Sequence, residues 1–238
     1  MATTVGAQPI RPPPLSPTSE QPPLFDGTTR LYTSYICPFA QRVWIARNYK
    51  GLQDKIQLVP FDLQNRPAWY KEKVYPENKV PSLEHNGKIL GESLGLIKYL
   101  DANFEGTPLF PTDPAKKEFG EQLLSQVDTF VKDFFNALRG DTVQQSHPAF
   151  GFLENALGKF DDGPFLLGQF SLVDIAYIPF VERFHVVLVE VFKHDATEGK
   201  PKLAKWIEEL NKIDAYTQTR EDPQEIVDLV KKRFMPQK

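Results

Sequence analysis

Between residues 105 and 113 the chain changes character, and that break limits its possible folds more than any other feature. The stretch Glu-Gly-Thr-Pro-Leu-Phe-Pro-Thr-Asp holds two prolines and a glycine and reads as a linker. Before it, short β-branched and aromatic runs alternate with helically spaced apolar residues. After it the pattern is helical throughout. With 238 residues there is chain enough for two small domains, each with its own core. One half is therefore expected to be a sheet covered by helices and the other a helical bundle.

In the first half, residues 30–36 are rich in β-branched and aromatic side chains and read as a strand. Pro38 suits the first position of a helix. Ala40, Val43, Trp44 and Ala46 give that helix an apolar face, and Gly51 ends it. Residues 56–62 form a second strand, parallel to the first because a helix joins them. An irregular stretch with Pro67, Trp69 and Pro76 leads to a third strand at 80–84. The Asn86-Gly87 pair signals a tight hairpin, 88–90 is the return strand, and 92–104 is a helix. The sum is a small mixed sheet with helices against it. Beyond the linker, helices are expected at 116–138, 149–160, 172–194, 202–212 and 223–234. Ser171 with Asp174 forms a variant capping box flanked by Phe170 and Ile175, and Pro179 predicts a kink.

Residues 1–26 carry seven prolines and one arginine. Such a leader is expected to be flexible or extended, and it suits neither a secretory signal nor a transit peptide. The net charge of −3 gives no reason to expect a nucleic-acid partner, and Lys-Lys-Arg at 231–233 reads as a solvated helix end. The apolar stretch 175–192 is interrupted by Glu182, Arg183, His185 and Glu190, so no membrane span is expected. A single cysteine excludes an internal disulfide and any multi-cysteine zinc cage. His147, His185 and His194 lack ligand spacing, and no metal site is expected. A cytoplasmic protein is the reading that results.

That one cysteine sits in Ser34-Tyr-Ile-Cys37-Pro-Phe-Ala-Gln-Arg42, where a strand ends and a helix begins. A lone cysteine is more often a small buried hydrophobe. This context reverses the expectation, because unpaired N–H groups and the helix dipole favour negative charge there. Such placement lowers a thiol pKa from about 8.5 into the range of roughly 3.5–7.5. A dithiol motif would carry its second cysteine at position 40, but Ala40 stands there. Any mixed disulfide at Cys37 must therefore be resolved by an external thiol. Pro81, in Asn78-Lys-Val-Pro-Ser82, is a candidate cis-proline that turns the backbone of Val80 towards a peptide-like ligand. An ordinary proline at a strand start is an even alternative. In Gly91-Glu92-Ser93 a helix opens with a hydroxyl suited to a carboxylate, beside an acid suited to an ammonium. A thiolate, a strand edge and an amino-acid head site together match glutathione.

On these motifs, residues 27–238 resemble the cytosolic glutathione transferases. Cys-Pro-Phe-Ala at 37–40 is similar to the cysteine-type classes (omega, lambda and dehydroascorbate reductase). The continuation Gln41-Arg-Val-Trp-Ile45, with Asn78 to Ser82, is most similar to the plant lambda class. The resemblance implies an α/β thioredoxin-like N-terminal domain with a mixed four-stranded sheet over 27–104, a linker at 105–113, and an all-α C-terminal domain over 114–238. It implies a Cys37 mixed disulfide with glutathione as co-substrate. Val80 would pair with the cysteinyl backbone, and Glu92 and Ser93 would hold the γ-glutamyl head. Lys79 and Arg66 would meet the glycyl carboxylate, with Phe39 also at the site.

Cysteine stands where other classes place the thiolate-stabilising hydroxyl, so weak conjugation is expected; Ser34 and Tyr35 are the substitutes at hand. The expected activity is glutathione-dependent thiol transfer from glutathionylated or small aromatic substrates, by a monomer. Alternatives are a dehydroascorbate reductase-like enzyme, a non-catalytic carrier of flavonoid-like aromatic ligands, and a membrane-inserting chloride-channel-like relative. Phe130, Phe134, Tyr177 and Phe184 are candidates to line an acceptor site between the domains, although their helical spacing favours core packing.

Overall fold

The computed structural model describes residues 11–140 and 142–235. Two compact units meet in sequence at Thr107/Pro108, inside the stretch where the chain changes character. In the first unit β1 (Thr29–Thr33), α1 (Pro38–Tyr49), β2 (Ile56–Pro60), β3 (Ser82–His85), β4 (Lys88–Leu90) and α2 (Ser93–Asn103) follow one another. The strands form one mixed sheet in the order β2-β1-β3-β4. β1 and β2 are parallel, with Leu31 beside Leu58. β3 returns antiparallel to β1, setting Leu83 against Leu31, and β4 follows through the Asn86-Gly87 turn. Both turn residues have positive φ, 49° and 71°, which an Asn-Gly pair accommodates with little strain.

In the first unit β2 stops at Pro60 rather than 62 and β3 runs over Ser82–His85 rather than 80–84, and two further departures from the sequence expectation have a local cause. β1 stops at Thr33 rather than 36, because the Cys37 N–H bonds to the Ser34 carbonyl at 3.1 Å and closes a turn. The irregular stretch holds one π-helical turn, Tyr70–Val74, closed by Tyr75 N–H on the Tyr70 carbonyl at 2.8 Å. That turn buries Tyr70 and Val74 and leaves Lys71, Glu72 and Lys73 exposed. Tyr32, Val59, Phe61, Trp69, Tyr70 and Val74 form an apolar, largely aromatic cluster. Successive strand residues point to opposite faces, so Leu31 serves the other side of the sheet.

Residues 11–26 of the leader run along this unit and are tied to it; residues 1–10 lie outside the described residues. Leu15 pairs in parallel beside Phe61, its N–H bonding the Pro60 carbonyl at 2.8 Å. The Tyr35 hydroxyl donates to the Pro12 carbonyl at 2.5 Å, and the Trp69 indole N–H donates to the Ser19 carbonyl at 3.1 Å. Leu15 and Leu24 pack against the aromatic cluster. At the leader's end, Glu84 accepts the Phe25 N–H at 2.7 Å, Arg30 Nη1 at 3.0 Å and the Tyr32 hydroxyl at 2.7 Å. Partial burial of two leucines is worth about 1–2 kcal/mol. Deleting residues 1–24 is therefore expected to lower the melting temperature by about 3–6 °C in a thermal scan, and an unchanged value would show the docking to be idle.

In the second unit the helices are α3 (Pro114–Ala137), α4 (Thr142–Ala156), α5 (Leu172–Phe192), α6 (Pro201–Leu210), α7 (Asp214–Thr217) and α8 (Pro223–Phe234). α3 packs against α4 and α5, and α5 against α8. α4 begins seven residues before the expected 149 and carries Pro148 inside it, a residue that reads in sequence as a stop. The four residues of α7 are too few to show a period. α5 opens with the full capping box, Ser171 Oγ accepting Val173 N–H and Asp174 accepting Ser171 N–H. Phe134 meets Phe184 at 4.5 Å and Phe130 meets Tyr177 at 5.0 Å, all four rings buried among the helices of this unit. Among the described residues no helix is long and apolar enough to cross a membrane.

Candidate active site

Cys37 takes its position from two local causes. The turn after β1 brings the chain to the head of α1, and Pro38 starts the helix at its first position. Cys37 is the N-cap residue, in extended backbone at φ −87° and ψ 116°, but its side chain caps nothing. Its sulfur instead lies 3.9 Å from the Val80 carbonyl oxygen, with 7% of the residue exposed. Ala40, where a dithiol motif would place its second sulfur, is fully buried in α1.

The Val80 segment is held from three sides. The Val80–Pro81 peptide is cis. Tyr70, fully buried, donates its hydroxyl to the Lys79 carbonyl at 2.5 Å and shares a 2.8 Å hydrogen bond with Ser82 Oγ. Burial pushes the Tyr70 hydroxyl pKa well upward, so it stays protonated and keeps donating. Arg66 donates to the Asn78 carbonyl at 2.7 Å, and Asn78 turns the chain at φ 54°. The buried Arg66 Nε makes no hydrogen bond among the described residues. Lys79 is exposed and ion-paired with Glu77 at 2.9 Å; Glu77 raises its pKa, and the pair is open to exchange for another carboxylate.

α2 supplies the third side. Glu92 is its N-cap residue, exposed and at φ 64°, and Ser93 is its first residue, 7% exposed. At Gly91, which precedes them, a Cβ would run into the Tyr75 hydroxyl unless that ring moved. Glu92 acts electrostatically on both Tyr75 and Lys79, so these groups share one rim. Ser93 Oγ accepts a hydrogen bond from Arg42 Nη1 at 3.1 Å. The Arg42 guanidinium also lies over the half-buried Phe39 ring, 5.4 Å from its centre.

The structure thus brings Cys37 to Val80 and ties Phe39 and Ser93 together through Arg42. Arg66 is engaged beneath the Lys79 loop. Tyr35 offers its hydroxyl to the leader at Pro12, so that hydroxyl is not a thiolate partner. Sequence reasoning missed Tyr70 and Tyr75, which lie in a stretch without periodicity. In sequence Arg42 is only the last residue of the cysteine motif, and its tie to Ser93 was not visible there.

A glutathione S-transferase N-terminal domain model matches residues 31–108, and a glutathione S-transferase C-terminal domain model matches residues 121–209. The chain is 68% identical to glutathione S-transferase L3 of Arabidopsis thaliana over 94% of its own length and 96% of the relative's. It is 59% identical to the chloroplastic glutathione S-transferase L2 of the same plant, over 94% of this chain and 76% of that one. Among solved structures it is similar to glutathione transferase Omega 2C of Trametes versicolor, with a TM-score of 0.74 and 26% identity over 87% of this chain and 99% of that one. Two domain models in tandem and near-full-length relatives leave one conclusion: the chain belongs to the glutathione S-transferase family and, within it, is most like the plant lambda class.

Proposed function

We propose that this chain is a glutathione-dependent thiol transferase that removes glutathione from mixed disulfides through a Cys37–glutathione disulfide, with weak conjugating activity. Glutathione is its co-substrate, as for the family. One observation carries the reading: the chain's single sulfhydryl stands at the head of α1, 3.9 Å from the Val80 carbonyl. Helix-end N–H groups favour the thiolate there.

In the first step the Cys37 thiolate attacks the glutathionyl sulfur of a mixed disulfide. The S–S bond breaks, the substrate leaves as a thiolate that takes up a proton, and Cys37 becomes glutathionylated. In the second step the thiolate of a free glutathione attacks that same glutathionyl sulfur, so oxidised glutathione leaves and the Cys37 thiolate returns. Because Ala40 removes any internal resolving thiol, the second step depends on external glutathione. Val80 offers backbone to the bound cysteinyl unit, Glu92 and Ser93 take the γ-glutamyl head, and Lys79 and Arg66 meet the glycyl carboxylate beside Phe39. We assign a monomer in the cytoplasm, to be checked by light scattering and by a fluorescent fusion.

Intact-mass analysis after treatment with oxidised glutathione is expected to show one added glutathionyl group, mapped to Cys37 and removed by reduced glutathione. An unmodified protein would sink the reading. Aromatic-ligand binding without any such adduct would favour a carrier instead.

A further inference from the structure

We propose that leader residues 11–17 are a docking segment for a partner protein with an aromatic-lined groove and an acidic pocket, the chemistry that reads polyproline segments. The stretch is Arg11-Pro-Pro-Pro-Leu-Ser-Pro17. Each proline holds φ at about −65°, and each residue before a proline is pushed to extended backbone. Arg11, Pro12, Pro13 and Ser16 all precede prolines, and Leu15 pairs in parallel beside Phe61. These restraints favour polyproline geometry, with three residues per turn and so three ridges. The run ends where Ser19 N–H bonds the Ser16 carbonyl at 3.0 Å and closes a turn.

The fold determines which ridges are covered. Pro12 and Leu15, three positions apart, are half-buried against the first unit. Pro12 takes the Tyr35 hydroxyl on its carbonyl, and Leu15 packs on the aromatic cluster. Arg11, Pro14 and Pro17 make a second ridge, Pro13 and Ser16 a third, and all five are exposed. A groove of this kind takes two residue pairs, each ending in proline, between its aromatic rings. Pro13-Pro14 and Ser16-Pro17 are such pairs, with Arg11 placed for the acidic pocket. The two residues left facing away from the groove are Pro12 and Leu15, which the first unit already holds. Arg11 is the one basic side chain in residues 1–26. Its guanidinium lies 5.3 Å from the ring centres of Tyr35 and Trp44, yet the residue stays exposed to an approaching carboxylate. Docking on the first unit also fixes the backbone before a partner arrives, which lowers the ordering entropy that binding must overcome.

The test titrates the full chain into an isotope-labelled SH3 domain that reads Arg-x-x-Pro-x-x-Pro ligands, beside an acetylated peptide of residues 11–19. The full chain is expected to shift the resonances of the domain's aromatic groove and to bind at least as tightly as the peptide. Arg11→Glu and Pro14→Ala, on the open ridge, are each expected to weaken binding about 10-fold or more. Pro12→Ala, on the covered ridge, should change it by less than about 3-fold. No shift with about 1 mM full chain would overturn the proposal. A full chain that binds about 10-fold more weakly than the peptide would do the same, because the docked leader would then hide the side that a groove needs. Equal losses from Pro12→Ala and Pro14→Ala would overturn the assignment of the ridges. All three substituted positions lie in the leader, outside the core of either unit, so the folded full chain serves throughout.

Discussion

Cys37→Ser is expected to lower glutathione-dependent reduction of a mixed disulfide by about 10³-fold or more, measured as oxidised glutathione released. A serine hydroxyl is barely ionised at neutral pH and cannot form the intermediate disulfide, and the chain has no second sulfhydryl to take over. The fold should not suffer. The thiol's contact with the Val80 carbonyl, at 3.9 Å, is weak, and serine at an N-cap is a favoured residue. The melting temperature should therefore stay within a few degrees of wild type. Activity loss with intact folding separates chemistry from structure, and a variant that keeps full activity would remove Cys37 from the mechanism.

The second large effect concerns stability. Asp174 is fully buried, and its carboxylate accepts Leu166 N–H at 3.0 Å, Ser171 N–H at 2.9 Å, Ser171 Oγ at 2.9 Å and the Trp206 indole N–H at 2.8 Å. One side chain thus joins the start of α5 to the chain before it and to α6. Asp174→Ala leaves these donors buried without an acceptor, each costing about 1–3 kcal/mol with incomplete additivity. A total loss of about 3–5 kcal/mol is expected by urea unfolding. Asp174→Asn should recover little, because its amide brings two donors where donors already converge.

Burial pushes the Asp174 pKa up from 3.8 to about 6, against the four hydrogen bonds that favour its charge. A folded pKa above the unfolded one means that the folded state holds the extra proton between these values. The stability this contributes is complete below the unfolded pKa and is lost as pH rises through about 6. The full swing is about 3 kcal/mol. Wild-type stability should therefore fall relative to Asp174→Asn between pH 4 and pH 6 and run parallel to it above pH 7. Curves parallel over the whole range would show that the carboxylate ionises as readily inside the fold as outside it.

Much of this architecture could be read directly from residue patterns. Asn86-Gly87 identifies its hairpin because few other pairs accept positive φ at both positions. Ser171 and Asp174 mark the start of α5 because capping is a contact between residues three apart. The strand, Cys37-Pro38 and helix sequence likewise places the sulfur, since its position depends on the turn in which it sits. Tyr70 was not legible. Its hydroxyl reaches Lys79 and Ser82 only because a π-helical turn aims it there, and nothing in a five-residue turn shows a period. Nor was α4 legible at its start, where Pro148 imitates a boundary.

By itself the sequence determined that one sulfur stands at a strand–helix junction, that Ala40 leaves it no internal partner, and that a sheet half precedes a helical half. These are local matters, settled by neighbours along the chain. Only the tertiary structure decided that the Val80 carbonyl comes to within 3.9 Å of Cys37, that Arg42 reaches Ser93 rather than solvent, and that the leader from residue 11 docks on the aromatic cluster. Each of those joins residues about 40 or more positions apart. Contacts at such separations are selected by which buried groups can satisfy one another once the core has closed, and no local pattern records that choice.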